Sequence, residues 1–94
     1  MQNTRSQLTN FIKSRPYLIW YVKNYQKLSA ESIVEHTLNY GDWDDVQKLL
    51  SILGIKKTTS IFNKQIDRQR INYRPEVINY FKLYFAHKNK LMKV

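Results

Sequence analysis

The sequence predicts an all-α fold, a small single-domain bundle of four to five short helices around a central helix-turn-helix pair. Three observations carry that expectation. Apolar residues recur at i, i+3 and i+4 in segment after segment, which is the helical period. The two glycines, Gly41 and Gly54, each follow directly on such a segment, where helices commonly end. No second convincing strand exists to pair with the one apolar run that could be extended, and an isolated strand leaves its backbone groups unpaired.

Taken in order, residues 3–14 read as a first helix with Leu8, Phe11 and Ile12 on one face. Arg15-Pro16 stops it, because a proline disfavours helix in the residue before it. The next segment, Pro16 to Leu28, holds Tyr17, Trp20, Tyr21 and Tyr25. Its apolar run is too short for periodicity to decide between helix and extended chain over residues 16–22. Ser29 suits an N-cap for a helix over residues 30–40, with Glu31 favouring the helix dipole and Ile33, Val34, Thr37 and Leu38 as its stripe. Gly41 is read as its left-handed C′ residue. Asp42 then caps a helix over residues 43–53, and Asp45 stands where a capping box places its acid. Trp43, Val46, Leu49, Leu50 and Leu53 form that helix's wide apolar face, and Gly54 ends it. With so short a turn the two helices must pack on each other.

A weaker helix is expected over residues 56–66, its threonines and serine being poor helix formers. Ile55, Ile61, Phe62, Gln65 and Ile66 are its contacts. A polar connector leads to Pro75, which suits a helix start. The last helix, over residues 75–87, carries Val77, Ile78, Phe81, Tyr84 and Phe85 inward. Residues 1–94 are read as one domain with frayed ends at about 1–4 and 88–94.

Charge is unevenly spread. The net charge is +9. Residues 1–30 carry five basic residues and no acid, residues 31–45 carry five acids and no base, and residues 46–94 carry eleven basic residues against two acids. A chain basic at both ends points to an acidic partner, either nucleic acid or an acidic protein surface; the plainer reading is a solvated lysine-rich face. The basic set Lys56, Lys57, Lys64, Arg68, Arg70 and Arg74, with Tyr73 available for stacking, would make any nucleic-acid contact. The helix pair itself is a poor reader of DNA. Its second helix begins Asp42-Trp43-Asp44-Asp45, which phosphates would repel.

Chemistry is sparse. With no cysteine, disulfides, thiolates and cysteine-based zinc sites are excluded, and a reducing cytoplasm is the expected setting. The N-terminus lacks a signal-peptide pattern, no apolar run reaches the roughly 20 residues that span a bilayer, and no membrane association is expected. His36 and His87 have no partner at metal-ligand spacing and read as partly exposed helix histidines. Asp42, Asp44 and Asp45 lack the spacing of a calcium loop and are explained by capping. Neither a glycine-rich phosphate loop nor a nucleophile elbow is present. The expectation is a chain that is not an enzyme and has no catalytic residue, cofactor or metal. The aromatics Tyr17, Trp20, Tyr21 and Tyr25 are candidate anchors for a protein partner, since interface hot spots favour Trp, Tyr and Arg.

Three stretches carry a resemblance. RPYLIW at 15–20, KLSAESIVEHTLNYGDWDDVQKLLSILG at 27–54 and RPEVINYF at 74–81 resemble a family of small bacterial proteins of unknown function. Its pattern runs "alFWD", then "kLd…iIeRvLeyGdledw…l…yG", then "sRrLs-kT-nFw". The most specific portion is Ile33–Asp45, around Tyr40-Gly41-Asp42. This chain departs from the pattern at Tyr21, where the family has Asp, at His36, where it has a basic residue, and near Asn72, with Arg70 displaced upstream. Genes of that family often neighbour nucleotidyltransferase-like toxins of the abortive-infection type. The resemblance implies an antitoxin-like partner protein in a toxin–antitoxin module. It transfers no active site. Binding to nucleic acid and a homodimer are compatible with it.

Overall fold

The computed structural model describes residues 4–19, 28–68 and 71–92. Among them the architecture is all-α. Helix α1 spans Thr4–Lys13, followed by one 3-10 turn at Pro16–Leu18. Helix α2 spans Ala30–Tyr40, α3 Trp43–Leu53, α4 Ile55–Ile66 and α5 Pro75–Met92.

The expected stop signals operate, though not all in the expected way. Ser29 caps α2 by accepting the Ser32 N–H at 3.1 Å. Asp42 caps α3 by accepting the Asp45 N–H at 2.9 Å, and the Asp45 carboxylate accepts the Asp42 N–H at 3.0 Å. This is a complete capping box. Gly54 has φ +87°, a region that side chains disfavour. Gly41, by contrast, is extended (φ −79°, ψ 158°) and not the left-handed cap expected of it. Here glycine is needed for space. A Cβ at Gly41 would stand 2.7 Å from the Thr37 carbonyl oxygen and 3.0 Å from the Asp45 Cβ. The last helix also runs five residues past its expected end, to Met92. Nothing in its sequence breaks it, and Asn89 ties it to α4 by donating to the Thr59 hydroxyl at 2.9 Å.

One apolar cluster joins all five helices. Leu8, Phe11 and Ile12 of α1 meet Ile33, Val34 and Leu38 of α2, Val46 and Leu49 of α3, Ile61 and Phe62 of α4, and Val77, Phe81 and Phe85 of α5. Phe62 sits at its centre, its ring edge-on to those of Tyr73, Phe81 and Phe85. Burying a ring of this kind is worth about 1.5–3 kcal/mol. Polar groups brought inside are bonded there. Thr37 donates to the Ile33 carbonyl at 2.7 Å, Thr58 to Gly54 at 2.9 Å, and Gln65 to the Glu31 carbonyl at 2.8 Å.

Two sequence expectations fail at this level. His36 is 7% exposed, not partly exposed, with Nδ1 at 2.8 Å from the Ser32 carbonyl. Tyr73 is 6% exposed, and its hydroxyl donates to Gln65 Oε1. Burial, then the charge of Glu35, pushes that hydroxyl above the ordinary tyrosine range. Tyr73 pins the otherwise polar connector to the core and, contrary to the expectation from sequence, is not available for stacking on bases.

Candidate functional site

The aromatic residues of α5 fall in two doublets, Tyr80-Phe81 and Tyr84-Phe85, one helical turn apart. Adjacent helix positions diverge by about 100°, so one helix face cannot bury both members of each doublet. Phe81 and Phe85 go into the core. Tyr80 and Tyr84 are left beside each other at its edge, stacked with their planes 7° apart and centroids 6.3 Å apart.

Trp43 completes this face from α3. Its ring stands edge-on to Tyr84 at 5.1 Å and to Tyr80 at 6.5 Å. Its spacing with Val46, Leu50 and Leu53 placed it on the core face, and that direction holds. Its depth does not: the near-perpendicular α5 rings do not cover it, and Trp43 remains 48% exposed. Tyr80 is 51% exposed and Leu83, one turn further along α5, 68%. Gln47 donates to the Tyr84 hydroxyl at 3.0 Å, and Lys88 stands over the Tyr84 ring at 5.9 Å.

Two shallow grooves open along this α3–α5 face. One, of about 240 Å³, is lined by Leu38, Trp43, Val46, Val77, Tyr80 and Phe81, with Asp42 and Glu76 among its walls. The other, of about 420 Å³, lies toward Gly54 between Leu50, Ile55, Tyr84 and Lys88. Such a face offers rigid aromatic area with polar edges, the composition of protein-interface cores. Among the described residues no three His, Asp or Glu side chains gather as a metal site.

The predicted partner-binding aromatics fare differently. Trp20, Tyr21 and Tyr25 lie outside the described residues. Tyr17 is half exposed, but its hydroxyl is 2.7 Å from both oxygens of Asp45. The same carboxylate accepts Arg15 Nε at 2.7 Å. Asp45 is therefore more than a cap. It ties the α1–α2 connection to the start of α3. Desolvation pushes its carboxyl up, but the bonds from Tyr17, Arg15 and the Asp42 N–H outweigh that and hold it below the usual range. In return the hydrogen bond to Asp45, then burial, raises Tyr17 to about 12. A polar depression of about 270 Å³ lies between α1 and α3. Arg15 lines it, but its guanidinium is engaged by Asp45, by the Ser14 hydroxyl at 2.8 Å and by the Phe11 ring.

The predicted basic set divides as well. Lys56, Lys57, Lys64 and Arg68 are exposed. Lys57 and Lys64 share one stripe of α4 that flanks its buried Thr58, Ile61, Phe62 and Gln65. Arg70 lies outside the described residues. Arg74 belongs to another structure. It donates to the Asn39 carbonyl at 2.9 Å, satisfying the end of α2, and stands 3.9 Å from Glu76. Among the described residues no helix is long and apolar enough to cross a membrane.

No family model, curated protein or solved structure matches the chain.

Proposed function

We propose that this chain is a non-enzymatic, antitoxin-like protein that binds a cognate toxin through the α3–α5 face. One observation carries the reading: the solvent-exposed rings of Trp43 and Tyr80, with the half-buried Tyr84 beside them, along two shallow grooves. Aromatic residues of this kind dominate binding energy when a partner desolvates them. Grooves this open suit a protein surface better than a small substrate, which enzymes enclose. The kind of partner comes from the resemblance, from Arg15 to about Phe85, to proteins encoded beside nucleotidyltransferase-like toxins.

Co-expression with the neighbouring gene tests the reading. The neighbour alone should arrest growth, and the intact chain should relieve the arrest. A Trp43→Ala/Tyr80→Ala variant that melts close to the parent should not. A harmless neighbour, or arrest that persists beside the folded chain, would sink the antitoxin reading. Full relief by the double variant would remove the α3–α5 face as the dock.

A second reading rests on a different surface. Lys56, Lys57, Lys64 and Arg68 are exposed, and among the described residues no carboxylate pairs with them. In this reading the chain is a nucleic-acid-binding regulator. Its affinity for duplex or RNA would then fall steeply with salt, as phosphate contacts release counterions. A flat salt response would dismiss it.

A further inference from the structure

The smaller α3–α5 groove carries a sign of charge opposite to that of the chain. The protein is +9 overall, yet the residues lining this groove include Asp42 and Glu76 and no Lys or Arg. Asp44 is exposed on the first turn of α3, next to Trp43. Two helices begin at this end, and each N-terminus brings about half a positive charge. Arg74 lies 3.9 Å from Glu76 but does not line the groove. Three carboxylates exceed those two half-charges and that one cation. Asp42 spends Oδ1 on the Asp45 N–H, and both Asp42 and Glu76 are exposed. The rings of Trp43 and Tyr80 line the groove with them. A ring face with carboxylates nearby is an environment that attracts cations. At about 240 Å³ the groove falls below the roughly 300–1,000 Å³ of small-ligand pockets, and its size suits a single long side chain.

We propose that this groove receives a lysine or arginine side chain from the partner protein, stacked on Trp43 and Tyr80 with its charge between Asp42 and Glu76. The proposal rests on the α3–α5 face being the docking surface and adds the chemistry of what docks there. Arginine suits it best, because its flat guanidinium stacks on rings and meets carboxylates in the same plane. The partner is thus expected to present a basic segment, although this chain's net charge alone would call for an acidic one.

The test uses the full chain and two tetrapeptides, Ac-Leu-Arg-Leu-Arg-amide and Ac-Leu-Glu-Leu-Glu-amide. The indole N–H signal of Trp43 is the reporter, distinguished from that of Trp20 by a Trp20→Phe variant. The basic peptide should shift the Trp43 signal saturably, and the acidic peptide should not. Asp42→Asn with Glu76→Gln should weaken the basic peptide about five- to tenfold, while the fold persists, since Asn caps a helix as well as Asp. Equal shifts with both peptides, no shift with either, or undiminished affinity in the double variant would each overturn the proposal. Growth rescue separates this failure from that of the face itself. If Asp42→Asn/Glu76→Gln still relieves the neighbour's toxicity in full while Trp43→Ala/Tyr80→Ala does not, the face stands and the cation site falls.

Discussion

Trp43 and Asp45 stand two residues apart on the first turn of α3, and their surroundings differ completely. Asp45 is 3% exposed, and its carboxylate meets Arg15, Tyr17 and the Asp42 N–H. Every contact it makes is within the chain. Trp43 meets Tyr84 and Tyr80 in T-shaped contacts and leaves half its surface to solvent. A large apolar side chain left open is the informative exception, whereas a bonded carboxylate is a completed one. Within a single turn of helix, one side chain is spent on holding the fold and the other is left half open to solvent.

Removing Asp45 should give the largest loss of stability. Asp45→Ala deletes the capping box and leaves Arg15, whose side chain is 22% exposed, without its partner. The expected cost is about 3 kcal/mol, a fall on the order of 12–20 °C in Tm for a domain of this length. A melt within about 3 °C of the parent would show that the knot contributes little.

Gly41→Ala comes next. The new Cβ meets backbone at the Thr37 carbonyl and also the Asp45 Cβ, so the turn must shift. A loss of about 1–3 kcal/mol is expected, measured by denaturant unfolding. An unchanged midpoint would contradict the crowding argument.

Trp43→Ala should be milder in stability, about 1 kcal/mol, because half the ring is already in water. Its effect on partner affinity should be the reverse, on the order of thirtyfold or more if Trp43 is a hot spot. Titration of the partner alongside thermal melts separates the two readouts. A large stability loss with little change in affinity would make Trp43 a core residue after all.

The smallest effect is the pH dependence of the knot. Asp45 lies below its unfolded value, so its contribution is complete above about pH 4 and fades as pH falls through the folded value. Tyr17 moves the other way. Its contribution is complete below about pH 10 and is lost as pH rises toward about 12. Tyr17→Phe should therefore cost about 0.5 kcal/mol near neutrality and flatten part of the alkaline decline. Tyr73, also raised by burial, would account for the remainder. An alkaline limb identical in parent and variant would exclude Tyr17 from it.

The sequence was most informative where local rules act alone. The period of apolar residues gave the four longer helices within a residue or two of their starts, and Ser29, Asp42 and Gly54 marked ends because caps and positive φ are local needs. It misjudged residues whose role depends on distant chain. Tyr73 was legible as an aromatic in a basic connector, but its burial depends on Phe62 and Gln65 of α4. His36 sits on a side of α2 that only packing covers. Asp45 was readable as a cap, but Arg15 and Tyr17 come to it from 30 and 28 residues away. Of the candidate site, the doubled Tyr-Phe pairs of α5 were a visible signal, since one face could not bury them all. Trp43 as their neighbour was not.

What the amino-acid sequence determined by itself is the all-α class, the order of the helices, the caps and the charge of each segment. These follow from backbone geometry and from interactions within a turn or two. Tertiary structure alone decided which aromatics are core and which are surface, and which carboxylate is spent inside. It also set the acid-lined groove in an otherwise basic chain. Periodicity fixes the direction in which a side chain points, whereas depth depends on what another helix brings to cover it.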